Sequence, residues 1–234
     1  MSKQNIATFS KLALTGKSDN HIHWLNERHG IHHQVLNDWQ AMAKSAEKDG
    51  LHLTLVSGFR SFERQMAIWN RKFNGQLPVL DEHEKPLNMA SMSDLAKITA
   101  IMLFSALPGA SRHHWGSDID VYAPNLLADD QTLQLEQWEY QTDGPMAQLS
   151  LWLQENAKHF GFYFPYDKFR GGVAAEPWHL SHSATAAGFQ AALTTSVLAD
   201  AIANSGVAGK ATIIEHLDML YHTYITNIGD YPNG

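Results

Sequence analysis

The chain contains no cysteine, which excludes disulfides and thiolate metal ligands. Nor does any window approach the ~18 consecutive apolar residues that a membrane-spanning helix requires. Positive charge is in the minority, with 17 Lys and Arg against 24 Asp and Glu and a formal net charge of −7. No basic run overrides that total, so long-range steering of nucleic acid toward this surface is not expected. Residues 1–7 lack a long apolar stretch ending in a small-residue cleavage site. No secretory signal is therefore visible, and a cytoplasmic address is expected for the chain as written. A periplasmic or envelope address would follow if it were a trimmed form.

What is present describes an ordinary globular protein: 234 residues, 44% hydrophobic, with 16 Gly, 8 Pro and 14 His. That length suits one large domain or a domain with an appendage, and the apolar content suffices for a core without covalent staples. There is no internal repeat. Residues 1–34 are polar and patternless apart from their histidines and read as an arm over the surface, with His21, His23, His29, His32 and His33 solvated. Val35, Leu36, Trp39, Met42, Ala43 and Ala46 follow helical spacing, and Gly50 is a plausible stop. Residues 51–56 read as a strand.

Ser61 is a good N-cap for a second helix whose apolar stripe is Phe62, Met66, Trp69 and Phe73. Residues 74–90 read as a loop or hairpin and 93–105 as a helix. Ile119 and Val121 alternate with Asp118 and Asp120 as on a strand. Residues 133–140 suggest a hairpin, and Met146, Leu149, Leu153 and Phe160 a helix closed by Gly161. Residues 162–164 and 178–180 read as short strands, and 183–203 and 209–225 as helices. Unequal helices between strands, without a regular βαβ rhythm, indicate an α+β architecture.

The densest polar cluster is Ser111-Arg112-His113-His114-Trp115-Gly116-Ser117-Asp118-Ile119-Asp120. A histidine in a loop, a glycine turn and a strand bearing Asp offer nitrogen and carboxylate ligands from adjoining elements. Zinc accepts both, and a catalytic site needs a third protein ligand and an open position. The candidate third ligand lies in Glu176-Pro177-Trp178-His179, where a glutamate three residues before a histidine suits a general base acting on water.

These stretches resemble the VanY-type zinc D-alanyl-D-alanine carboxypeptidases, relatives of the L,D-carboxypeptidases and of the hedgehog zinc fold. Ser111, His113, Gly116 and Asp120 fall on the first part of the family pattern, and Glu176, Trp178 and His179 on the second. Ser57-Gly58-Phe59-Arg60-Ser61 and Gln65 match a further motif, and Phe160-Gly161-Phe162 keeps the late order. The likeness covers roughly residues 35–182, flanked by the arm of residues 1–34 and by a helical extension, residues 183–234, packed on the same domain. It implies a small antiparallel sheet flanked by helices, with one zinc ion per chain on His113, Asp120 and His179.

By the same resemblance Glu176 is the catalytic base, and Arg60 stabilises charge on the scissile carbonyl or holds a substrate carboxylate. Ser111, Gln65, Asp118 and Trp178 are the expected substrate contacts. The implied substrate is a peptidoglycan stem peptide cut at its terminal bond, of D-Ala-D-Ala or L,D type. The alternatives are a stem-peptide endopeptidase and a zinc-containing module that binds peptidoglycan without cleaving it.

Two departures bear on specificity. Asp118 stands where the family usually has a small Ala, and either orients a ligand or reshapes the pocket. Leu180-Ser181-His182 follows His179 where Arg and Tyr are usual. His114 is the rival ligand beside His113, His182 is expected at the surface, and Trp115 and Trp178 are either cleft walls or core. Oligomeric state is left undetermined.

Overall fold

A computed structural model describes residues 9–230. The first eight residues of the expected arm, and with them the segment read for a secretory signal, lie outside the described residues, as do the last four. A short helix α1 (Lys11–Leu14) leads into a hairpin of β1 (Ile22–Trp24) and β2 (Gly30–His32), paired Ile22 to His32. Helix α2 (Leu36–Lys48) buries Trp39, Met42 and Ala46, the spacing expected of one helical face, and stops just before Gly50, whose φ is +78°. Strand β3 (Thr54–Ser57) runs into helix α3 (Phe62–Phe73), where the Ser61 hydroxyl accepts from the Arg64 amide at 3.2 Å. Helix α4 (Asp94–Met102) is capped in the same way by Ser93.

The turn Arg112–Trp115 precedes β4 (Asp118–Tyr122), and α5 (Ala147–Asn156) precedes β5 (Phe162–Tyr163) and β6 (His179–His182). Strands β3-β4-β6-β5 form one antiparallel sheet. The architecture is α+β, with a small antiparallel sheet and flanking helices. Ile119, Val121 and Leu180 are fully buried on one face of this sheet, in a cluster with Trp39 and Met42 of α2 and Leu149 and Leu153 of α5. By the two-residue period of strands, Asp118, Asp120, His179 and Ser181 occupy the opposite face.

Several elements differ from the sequence reading. Residues 133–140 form no hairpin. Instead the buried Glu139 carboxylate accepts from the amides of Gln134 and Glu136 and folds the segment on itself. Residues 74–90, by contrast, form a loop as expected, with a single bridge, Leu80 to Pro86.

The C-terminal helices break into shorter pieces: α6 (Ser183–Ala192), α7 (Thr195–Ala203), α8 (Lys210–Glu215) and α9 (Leu217–Leu220). One cause is Thr194, whose hydroxyl caps α7 by accepting from the Val197 amide. These helices share an apolar cluster with α3 and α4 that includes Trp69, Ile98, Phe189 and Leu198. Trp69 also donates its indole N–H to the Ala208 carbonyl at 3.0 Å, fastening α3 to the α7–α8 loop.

Residues 9–34 do not lie as an arm over the surface. Ile22 and Ile31 are buried, and the hairpin is stitched to both motif loops. The Gly30 carbonyl accepts from the Phe59 amide at 2.6 Å, and the His32 amide donates to the Gly116 carbonyl at 2.8 Å. His32 itself is buried, contrary to the expected solvated placement, and burial among the neighbouring His21, His33 and His182 pushes its pKa down to about 4.

A neutral imidazole that would protonate at about 6.5 in the unfolded chain stabilises the fold fully above that pH. The contribution is lost as pH falls toward 4, because the unfolded state then binds the extra proton. Between pH 7 and 4, urea titrations should therefore show His32→Gln losing about 1–2 kcal/mol less stability than the parent, once solvent screening is allowed for. Equal losses in both proteins would contradict this.

Candidate metal centre and active site

The register of the sheet assembles the site. Ser57 pairs with Asp120 across β3–β4, and Asp120 with His179 across β4–β6, so one row carries all three. His113 comes from the turn before β4, which ends at Gly116 with φ +66°. A Cβ at Gly116 would lie 2.7 Å from the His32 amide nitrogen, so hairpin and motif turn can close together only over glycine.

His113, Asp120 and His179 are buried, and one ligand atom from each lies within 4.8 Å of the others. His113 Nε2 is 3.3 Å from Asp120 Oδ2, and His179 Nδ1 is 3.3 Å from Asp120 Oδ1. The far nitrogen of each ring is committed elsewhere. His113 Nδ1 is 2.9 Å from the Gly58 carbonyl, which can only accept. His179 Nε2 is 3.1 Å from the Asp118 carboxylate. Each imidazole thus has an outer acceptor for one N–H, which leaves the nitrogen facing Asp120 as the atom that binds a metal once its proton is displaced.

Two further observations fit a cation. Asp120 Oδ1 is buried and makes no hydrogen bond among the described residues, a costly state for a carboxylate oxygen unless a positive group meets it. Burial alone would lower the His179 pKa, yet Asp118, Asp120 and Glu176 around the ring hold it well above the ordinary histidine value. For Asp120 burial opposes ionisation, but His113 and His179 hold its pKa well below the usual range. The cluster attracts positive charge and presents the nitrogen and oxygen donors that a divalent cation takes.

Glu176 lines the cleft beside this trio, with Oε2 3.1 Å from His179 Nδ1. Arg60 also lines it, donating from Nη1 to Gln65 Oε1 at 2.9 Å and from Nη2 to Ser57 Oγ at 3.0 Å, with Asp120 Oδ2 3.9 Å away. Ser111 and Trp178 are on the cleft wall, and the buried Ser111 hydroxyl has no hydrogen-bond partner among the described residues. The cleft encloses about 620 Å³.

Two expected substrate contacts lie elsewhere. Gln65 is fully buried, receiving Arg60 at one end of its amide and donating to the Ala106 carbonyl at 2.7 Å from the other. It positions the guanidinium and has no polar atom left for a peptide. Asp118 is also fully buried, behind His179. Its Oδ1 accepts from Arg112 Nε at 2.6 Å, and its Oδ2 accepts from the hydroxyls of Ser117 at 2.7 Å and Ser181 at 3.1 Å.

Asp118 and Ser181 are register partners across β4–β6, so the two departures from the family pattern are neighbours in one network. Arg112 completes it, donating also to Ser181 at 2.7 Å and to Gln190 on α6 at 2.7 Å. Sequence reasoning passed over Arg112. The signal was there: an acidic residue in place of Ala on a buried strand needs a buried cation, and one lies six positions earlier.

The histidines sort by hydrogen bonding. His114 is fully buried but turned away, with Nδ1 2.6 Å from the Arg60 carbonyl and Nε2 accepting from the Gly109 amide. Burial lowers its pKa to about 3, so it stays neutral and holds the Arg60 loop. His182 is buried rather than at the surface, between Thr185 at 2.9 Å and Asp38 at 3.0 Å. Trp115 is core, and Trp178 is both core and cleft wall. Tyr166, absent from the sequence reading, lines the cleft with its ring edge-on to His179 at 5.0 Å.

A family model described as VanY, D-alanyl-D-alanine carboxypeptidase, matches residues 28–185. The chain belongs to this family. An uncharacterized protein of Haemophilus influenzae is 36% identical over 121 residues, covering 51% of this chain and 92% of that one. A D-alanyl-D-alanine carboxypeptidase of Enterococcus faecalis is 27% identical over 143 residues, 60% of this chain but only 43% of that enzyme. The solved structure of VanYB in complex with D-Alanine-D-Alanine superposes with a TM-score of 0.51 at 22% identity, over 81% of this chain and 92% of that one. At that identity the likeness is one of fold. Among the described residues, no single helix is long and apolar enough to cross a membrane.

Proposed function

We propose that this VanY-family protein is a zinc carboxypeptidase that removes the terminal residue of peptidoglycan stem peptides, of D-Ala-D-Ala or L,D type. The observation that carries the reading is the buried His113–Asp120–His179 trio, with both outer imidazole nitrogens already engaged and an unsatisfied carboxylate oxygen at its centre. These three residues would hold the ion. When bound, zinc supplies a Lewis acid that brings the pKa of water down to about 7.

The remaining chemistry belongs to the chain. Glu176, on the cleft wall beside His179, takes a proton from the attacking water and returns it to the departing amine. Arg60, held by Gln65 and Ser57, keeps its guanidinium beside Asp120, where it meets negative charge growing on the scissile oxygen. Its orientation is set before the substrate arrives, so little reorganisation is needed during the reaction. The free Ser111 hydroxyl offers a hydrogen bond to the peptide, and Trp178 gives it an apolar wall. Asp118 and Gln65 act one layer back, on His179 and Arg60 respectively.

The test is mass spectrometry of defined tri-, tetra- and pentapeptide muropeptides incubated with zinc-loaded protein. One peptide should lose a single terminal residue, the loss should stop with a chelator, and added zinc should restore it. Cleavage inside the stem would move the protein to the endopeptidases. Binding without cleavage would sink the enzymatic reading.

A further inference from the structure

Three Lys and Arg side chains line the cleft, and among the described residues only two of them have a carboxylate within ion-pair distance. Arg112 has Asp118 at 2.6 Å, and Arg60 faces Asp120 at 3.9 Å. Lys72, among the described residues, has only a neutral partner, the Ser105 hydroxyl at 2.6 Å. Burial lowers its pKa, with Glu176 and Arg60 acting on it across the same cleft. A half-buried ammonium whose nearest carboxylate acts only from across the cleft is poorly compensated until an anion meets it directly. Complementing the end of the helix dipole does not require this placement, because Arg71 already supplies an exposed cation in the last turn of α3.

The backbone holds the pair in place. Gln65 and Lys72 are seven positions apart on α3 and therefore share one face of the helix, Gln65 buried and Lys72 reaching the cleft. Gln65 ties down the Ala106 carbonyl and Lys72 the neighbouring Ser105 hydroxyl, so the helix clasps one loop at two adjacent points. Gln65 also fixes Arg60. Seven helical positions span about 10 Å of axis, roughly the length of three extended peptide residues. A peptide with its scissile bond near Arg60 can thus bring a carboxylate from within a few residues of that bond to the ammonium.

We propose that Lys72, with Ser105, receives a free carboxylate of the peptide bound in the cleft and so selects acidic peptides over their amidated forms. The proposal rests on the carboxypeptidase reading for the orientation of the peptide. The carboxylate is either the C-terminus or an acid group on an internal residue, and a charge-assisted contact serves both.

The experiment is calorimetric binding to zinc-loaded, full-length Glu176→Gln protein, in which turnover is suppressed. The probes are a synthetic stem pentapeptide, its C-terminal amide, and a version with its internal acid amidated. With Lys72 present, one amidation should weaken binding about 10–100-fold, and the probe affected identifies the carboxylate. Adding Lys72→Met should shrink that ratio to about twofold or less, whereas Lys72→Arg should keep most of it. Undiminished discrimination in Lys72→Met, or no discrimination between acid and amide with Lys72 in place, would overturn the proposal. The second result needs no lysine variant to fold. Hydrolysis is assayed separately with Glu176 intact, so its absence would defeat the carboxypeptidase reading while the binding ratios still decide the role of Lys72.

Discussion

Glu176→Gln should keep its zinc and lose about 10²–10⁴-fold in kcat, the usual worth of a positioned general base. The substitution replaces one oxygen by an amide of nearly equal size, so cleft shape and the three proposed ligands are preserved. What disappears is the ability to accept a proton. Glu176 touches His179 Nδ1 at 3.1 Å, so the variant also removes one of the three carboxylates around that ring. Metal content must therefore be measured beside the rate of terminal-residue release. Loss of turnover with zinc retained assigns the base, whereas full activity would remove Glu176 from the reaction.

Asp120→Ala and His113→Ala should lose the metal and activity together. Each removes one of three donors from a site whose adjacent His and Asp cannot replace it: His114 is turned toward the Arg60 carbonyl and Gly109, and Asp118 is occupied by Arg112, Ser117 and Ser181. Asp118→Asn is the graded member of this series. It leaves the donors in place but weakens the acceptor that fixes the His179 tautomer, and zinc affinity should fall about 10–100-fold. Competition against a chromogenic chelator reads all three variants. Wild-type affinity in Asp120→Ala would mean the ion sits elsewhere.

The candidate metal ligands were legible because each motif carries its own local reason to fold as it does. Gly116 permits the left-handed turn under β2, and Gly58 lets the Gly30 carbonyl approach and offers its own carbonyl to His113. Period-two alternation put Ile119 and Val121 on one face and Asp118 and Asp120 on the other without any structure. The apolar stripes of α2, α3 and α5 were readable in the same way, because core packing and helical period agree there.

What stayed hidden depends on distant partners. The hairpin of residues 22–32 looked patternless because its strands are three residues long and its anchors are backbone groups of two other loops. Asp118 and Gln65 were placed at the substrate because a polar residue beside a motif gives no sign of which neighbour has already claimed it. Lys72 lies outside the apolar stripe of α3 and belongs to no motif, and only the loop at Ser105 turns it into a cleft residue. The C-terminal helices showed correct stripes but concealed their breaks, since Thr194 caps a helix only if the chain turns there.

The most direct test is anomalous diffraction at the zinc edge from crystals grown with the metal. A single peak should lie within about 2.0–2.2 Å of His113 Nε2, an Asp120 oxygen and His179 Nδ1, with Glu176 nearby but not bound. A peak at any other set of side chains, or none in protein that still releases terminal residues from stem peptides, would contradict the account.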